Sequence, residues 1–210
     1  MMFDNCGTPG EGFSCDPLVI GVDEAGRGPL AGPVVAAAVA LCKPRPAGLD
    51  DSKKLSAKKR ATLDAAIRQR CAWAVAVVEP EEIDRLNIFA ATMHAMTRAT
   101  RDLVALLQGQ PECVLIDGNM TPQGRVGEWS WPARAIVGGD AIEPAISAAS
   151  IVAKEWRDRI MLEAAQAHPQ YGWDRNKGYG TKEHMEALRV HGPSPLHRRS
   201  FAPVSQMVLL

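Results

Sequence analysis

An α/β domain, built on a mixed sheet of about five strands flanked by helices and closed by a small C-terminal helical cap, is the fold class this sequence predicts. Short apolar runs rich in β-branched residues recur at 18–22, 34–41, 72–78, 114–118 and 135–140. Longer stretches with helical periodicity and capping residues alternate with them, chiefly at 56–70, 88–108 and 144–167. From residue 168 onward the chain turns rich in Gly, Pro, His and Arg, and only 182–190 reads as helix. Three units follow: a loose tail over 1–16, a principal domain over 17–167, and a cap over 168–210.

The first two apolar runs flank a Gly/Pro-rich turn and so are expected to pair antiparallel. Ser56 is placed to cap the helix that runs to about Arg70. The run 72–78 has the length and composition of a buried strand, and Pro80 then opens an acidic first turn that suits a helix N-terminus. In the 88–108 helix, Phe89, Met93, Met96, Leu103 and Leu107 are expected to share the buried side. The fourth and fifth runs each end in an acid beside glycine, at Asp117-Gly118 and Gly138-Gly139-Asp140. Small residues Ala145, Ser147, Ala148 and Ala149 mark the first half of the 144–167 helix as closely packed.

At 210 residues the chain is long enough for one well-filled core. Its 24 basic and 24 acidic residues cancel, so net charge names no partner. Their distribution is uneven: Lys53, Lys54, Lys58, Lys59, Arg60, Arg68 and Arg70 face only Asp64, which makes either a basic face or a solvated helix surface. Five scattered cysteines without a Cys-x-x-Cys pair fit reduced thiols in a cytoplasmic protein rather than a disulfide framework or a zinc site. No secretory signal is evident, and the apolar stretch 29–42 is too short to span a bilayer.

Chemistry concentrates where the first strand ends, at Asp23-Glu24-Ala25-Gly26-Arg27-Gly28-Pro29. A single strand-terminal Asp commonly caps a helix or starts a turn. Asp23, Glu24, Asp117 and Asp140 at three strand ends of one sheet are different, because gathered carboxylates raise one another's pKa unless a cation lies among them. With oxygen donors and no His or Cys, such a set selects Mg²⁺ or Mn²⁺. Two such ions about 4 Å apart suit phosphodiester hydrolysis. Gly26-Arg27-Gly28 departs from a dinucleotide loop, and Pro29 stands where a helix should begin; amides and a guanidinium there suit a sugar-phosphate.

Other chemistry-bearing residues have plainer readings. His94 has no second ligand type one turn away, and His184, His191 and His197 fit surface or capping roles better than catalysis. Tyr171 and Trp173 either stack on bases or pack the cap onto the domain, the second being the simpler. Arg198 and Arg199 are basic, and contact with phosphates is as good a reading of them as none.

Five strings follow in order: Asp23-Glu24-Ala25-Gly26-Arg27-Gly28-Pro29-Leu30-Ala31-Gly32-Pro33-Val34, Asp50-Asp51-Ser52-Lys53-Lys54-Leu55, Ala148-Ala149-Ser150-Ile151-Val152-Ala153-Lys154, Asn176-Lys177-Gly178-Tyr179-Gly180-Thr181 and His197-Arg198-Arg199-Ser200-Phe201. Together they resemble the ribonuclease HII family. The Glu155-Trp156 pair departs from the family's usual small or β-branched residues. The resemblance implies a ribonuclease H-like fold and a catalytic principal domain with a substrate-binding cap. It implies hydrolysis of RNA in RNA–DNA hybrids and incision 5′ of single ribonucleotides in duplex DNA, leaving 3′-hydroxyl and 5′-phosphate ends, in DNA replication and repair. Carried over by motif, Asp23, Glu24, Asp117 and Asp140 are catalytic, metal-binding acids. Gly26, Arg27 and Gly28 read the ribose 2′-hydroxyl, Tyr179 packs on the adjoining sugar, and Lys53 and Lys177 meet phosphates. A monomer is expected, with residues 207–210 either a docking segment for a replication protein or a frayed end. A deoxyribonuclease or strand-transfer enzyme and a non-catalytic nucleic-acid-binding module are the competing functions.

Overall fold

The computed structural model describes residues 6, 7 and 18–208. Most of the expected N-terminal tail and the last two residues of the C-terminal docking segment lie outside the described residues.

The sheet has six strands where five were expected, in the order β1-β4-β3-β2-β5-β6. β2 (Val19–Ala25) and β3 (Val34–Ala40) form the expected antiparallel pair, with Ile20 opposite Ala40 and Ala25 opposite Val35. β4 (Ala72–Val78) continues it antiparallel, and β1 (Cys6–Gly7) adds a short edge strand beside Trp73 and Ala74. Nothing in these two residues of the expected tail announces a strand; its partner supplies the template. On the other side β5 (Cys113–Asp117) runs parallel to β2, and β6 (Ala133–Ile136) parallel to β5.

Every residue of β3 is fully buried because helices cover both faces of the sheet. The pleat sends Val34, Ala36 and Ala38 to one layer and Val35, Ala37 and Val39 to the other. The first layer is α3 (Ile88–Leu107), whose Met93, Met96, Ala99 and Leu103 face the strands. Each of its larger side chains contributes roughly 2 kcal/mol by leaving water. Phe89, expected on that face, is 38% exposed because Ile88 takes the inward position in the first turn. The second layer is α1 (Ala57–Arg70), capped by the Ser56 hydroxyl as expected, and α5 (Pro144–Ala167). Trp156, one of the departures from the family pattern, is buried here against Trp73.

α5 lies almost in contact with β2. A Cβ on Gly21 would stand 2.1 Å from the carbonyl carbon of Ala145, so only glycine permits this approach. The four described cysteines are free, in accord with reduced thiols.

The last third of the chain holds a 3₁₀ turn (Pro169–Tyr171), α6 (Trp173–Asn176), α7 (Lys182–His191) and α8 (Ala202–Val208). Tyr171 stacks on Trp173 with ring centroids 4.9 Å apart, and both are buried with Ala31 and Met161, which is the packing role rather than base stacking. Backbone bonds tie this region to the loop after β2: Leu30 donates to the Gly178 carbonyl, Gly32 to Leu196, and Arg198 to Leu30.

Candidate active site and metal centre

Parallel register brings the first two acids together. Val22 stands beside Ile116, so Asp23 and Asp117 leave adjacent strands at the same level. The third acid arrives differently from expectation. β6 ends at Ile136, not at Asp140; Gly138 turns the chain in the left-handed region, and Asp140 sits in α4 (Gly139–Ile142). Its amide donates to Asp117 Oδ1 at 3.2 Å, and its carbonyl accepts from the Ser147 hydroxyl at 2.6 Å. Carboxylate oxygens of Asp23, Asp117 and Asp140 all lie within 4.8 Å of one another.

Crowding shows in their protonation. Burial pushes Asp23 well above the usual carboxylate range, and the Glu24 and Asp117 charges add to it. The Glu24 amide and the Ser150 hydroxyl pull the other way without winning. Asp140 is raised by burial and then by Asp117. This is the cost of assembling anions with too little positive charge. Lys53 supplies part of it, its Nζ 3.3 Å from Asp140 Oδ2. Burial lowers the Lys53 pKa, but Asp140, Asp51 and Asp23 outweigh that and leave it raised.

Glu24 is the one predicted acid outside the tight trio. It lines the same cleft, and its carboxylate faces Arg27 Nη1 at 3.5 Å. Burial raises Glu24, and Arg27 partly restores it. The cleft, about 300 Å³, is further lined by Gly26, Gly28, Ser52, Lys53, Lys154, Arg157 and Tyr179. A Cβ on Gly28 would lie 3.6 Å from the Tyr179 ring, so this glycine faces the tyrosine across the cleft wall. Tyr179 itself is half exposed. Lys177 is not brought to the carboxylates: its ammonium is bonded to the Asp174 carbonyl, and its own carbonyl accepts from Arg157.

Several cleft residues were assigned no role from the sequence. Ser150 and Ser52 share a buried hydroxyl–hydroxyl bond of 2.8 Å beside Asp23. Lys154 reaches the cleft from α5 with its ammonium 2.7 Å from Asp158. Both serines and Lys154 belong to the family-like strings, and that membership was the available signal. His184 and His197 are neither surface nor capping residues but buried, with Nε2 atoms 3.1 Å apart. The Ser194 amide donates to His197 Nδ1, so His197 carries its proton on Nε2 and donates to His184, whose Nδ1–H holds the Tyr179 carbonyl at 2.9 Å. Arg198 is fully buried, which removes it from phosphate contact.

Three carboxylates at the carboxyl ends of parallel strands and the following helix, beside a glycine-rich loop on this mixed sheet, define a nuclease of the ribonuclease H class. The set fits a hard divalent cation, since every donor is oxygen and the trio carries more negative charge than Lys53 compensates. The chain belongs to the ribonuclease HII family, whose model, described as Ribonuclease HII, matches residues 20–204. It is 71% identical to Ribonuclease HII of Novosphingobium aromaticivorans over 195 residues, covering 92% of this chain and all of that one. It is 70% identical to the Erythrobacter litoralis protein of that name, over 91% of this chain and 90% of the other. Among solved structures, ribonuclease HII in the PCNA:RNase HII complex from Archaeoglobus fulgidus superposes with a TM-score of 0.69 at 28% identity, covering 86% of this chain and 93% of that one. Among the described residues no helix is long and apolar enough to cross a membrane.

Proposed function

We propose that this ribonuclease H hydrolyses RNA in RNA–DNA hybrids and incises 5′ of single ribonucleotides in duplex DNA, leaving 3′-hydroxyl and 5′-phosphate ends. The observation that carries the reading is the convergence of Asp23, Asp117 and Asp140 within 4.8 Å of one another, with Asp23 and Asp117 lining a cleft shared with Gly26, Arg27, Gly28 and Tyr179. Asp23, Asp117, Asp140 and Glu24 would hold two Mg²⁺ or Mn²⁺ ions. Those ions, when bound, supply a lowered water pKa and stabilisation of developing oxyanion charge.

The protein's own groups do the rest. Gly28 keeps its backbone unobstructed beside the half-exposed Tyr179 ring, and an aromatic face with nearby amide donors distinguishes ribose from deoxyribose. Arg27, half exposed, and Lys53 present charge to the phosphates on either side of the acids. Lys53, through its ion pair, also pulls the Asp140 pKa down against burial and the Asp117 charge. Ser150 orients the Asp23 carboxylate, and Asp140's own amide orients Asp117. Lys177 meets a phosphate only after leaving the Asp174 carbonyl. Residues 168–210 act as a substrate-binding cap on a catalytic domain spanning 17–167.

A cytoplasmic monomer acting in ribonucleotide removal completes the reading. Docking of a replication protein on residues 207–210 is part of it, supported by the Archaeoglobus fulgidus relative having been solved with PCNA. The test is a cleavage map on a duplex with one ribonucleotide, with and without chelator. Incision on the 5′ side of that ribonucleotide, abolished by chelator, is expected. Equal cutting of an all-DNA duplex would instead establish the deoxyribonuclease or strand-transfer function, and tight binding without cutting the non-catalytic one.

A further inference from the structure

Two arginines without carboxylate partners lie buried behind the glycine-rich loop. Arg157, from α5, is 1% exposed and Arg198 is fully buried, yet among the described residues neither forms an ion pair within 4 Å. Their donors go to backbone carbonyls instead. Arg157 donates through Nε to Pro33 at 3.0 Å, through Nη1 to Lys177 at 3.0 Å and through Nη2 to Ala31 at 3.1 Å. Arg198 donates through Nε to Gly32 at 3.0 Å, through Nη1 to Arg27 at 2.9 Å and through Nη2 to Gly26 at 2.5 Å.

Six carbonyls, five from the single stretch 26–33, are therefore turned inward. A trans peptide points its N–H opposite its C=O. With the Gly26 and Arg27 carbonyls aimed at Arg198, the amides of Arg27 and Gly28 point away from it, in two residues that line the cleft. Among the described residues these two amides have no acceptor. Gly26 belongs to the same device: a Cβ there would meet Arg157 Nε at 2.1 Å, so glycine at this position makes room for the guanidinium.

We propose that Arg157 and Arg198 are positioning residues for ribonucleotide recognition, holding the loop's peptides so that the Arg27 and Gly28 amides meet the 2′-hydroxyl and its phosphate. This rests on the reading of Gly26-Arg27-Gly28 given under the proposed function. The arrangement also places two positive charges beneath the loop that faces a polyanion, held by carbonyl dipoles, by the Phe201 ring 5.0 Å from the Arg198 guanidinium and by the more distant charges of Asp84 and Asp158. Burial, and then the neighbouring Arg157, bring the Arg198 pKa down to about 9, so the charge is present at neutral pH but held against resistance. A phosphodiester arriving at the loop relieves that resistance.

The experiment measures binding by fluorescence anisotropy in Ca²⁺, on paired duplexes that differ by one ribonucleotide. Arg198→Lys and Arg157→Lys keep the charge but lose the planar fork that spans several carbonyls. Each variant is expected to lower the preference for the ribonucleotide duplex about tenfold, the worth of one well-placed hydrogen bond. Leu103→Ala, destabilised on the opposite face of the sheet, is expected to leave the preference unchanged; a shift there as large as in the lysine variants overturns the proposal, because destabilisation alone would then explain it. Should Arg198→Lys not fold, Arg157→Lys decides alone. A parent protein without any preference removes the underlying reading, and the proposal with it. A parent preference that the lysine variants retain in full overturns the proposal alone.

Discussion

Replacing Asp23 by asparagine should make the metal-free protein more stable while nearly abolishing its activity. Asp23 is 5% exposed and shares a 4.8 Å cluster with Asp117 and Asp140. Two unit charges at that separation repel by roughly 3.5 kcal/mol at an effective dielectric constant near 20. Lys53 beside Asp140 and partial protonation of the raised Asp23 relieve some of this. The net gain in chelator is therefore about 1–3 kcal/mol, or about 3–8 °C in melting temperature for a domain of this size. The sign with pH follows from the raised pKa. The native parent holds a proton on Asp23 that the unfolded chain releases above the ordinary value of 3.8, so its stability falls as pH rises through the native value. The asparagine variant lacks that slope. In millimolar Mg²⁺ the order should reverse, because only the parent gains stability from ion binding. Thermal melts in EDTA and in Mg²⁺, with cleavage of a singly ribose-substituted duplex, test all three arms. A variant less stable than the parent in EDTA, or one that cuts at the parental rate, would refute the reasoning.

Gly21→Ala should destabilise by about 1–3 kcal/mol, since its Cβ meets backbone rather than a movable side chain, and a urea denaturation midpoint reads it directly. His197 supplies an acid-sensitive contribution. Burial and then His184 hold its pKa down at about 4, against the ordinary value of 6.5. The unfolded chain therefore binds more protons between those values, and stability falls as pH drops from 6.5 to 4. After allowance for solvent screening the loss is about 2 kcal/mol; it should shrink in His197→Gln, and an unchanged pH profile would exclude the histidine as its source. Tyr179→Ala should leave unfolding within about 1 kcal/mol of the parent, the ring being half exposed, while lowering kcat/KM on an embedded ribonucleotide about tenfold.

Much of this architecture was legible because local and global signals agree. The runs at 19–25, 34–40 and 72–78 carry β-branched residues between breakers, and their burial on both faces explains why they show no polar alternation. Asp23 and Asp117 were legible from the shared pattern of apolar run, acid and glycine. Asp140 was found for a partly wrong reason: the apolar residues up to Val137 extend the apparent strand, whereas two glycines break it after Ile136 and a short helix carries the acid. The edge strand at Cys6–Gly7 exists through pairing with Trp73 and Ala74, which no local signal encodes. Arg157 and Arg198 were illegible for a related reason. An arginine in sequence reads as surface, and only tertiary contact with three carbonyls apiece makes these two tolerable when buried.

An anomalous difference map from crystals equilibrated with Mn²⁺ tests the metal site most directly. Density between the carboxylates of Asp23, Asp117 and Asp140, lost in Asp23→Asn, is the result expected. Manganese bound elsewhere, with that trio vacant in a protein still able to cut its substrate, would contradict it.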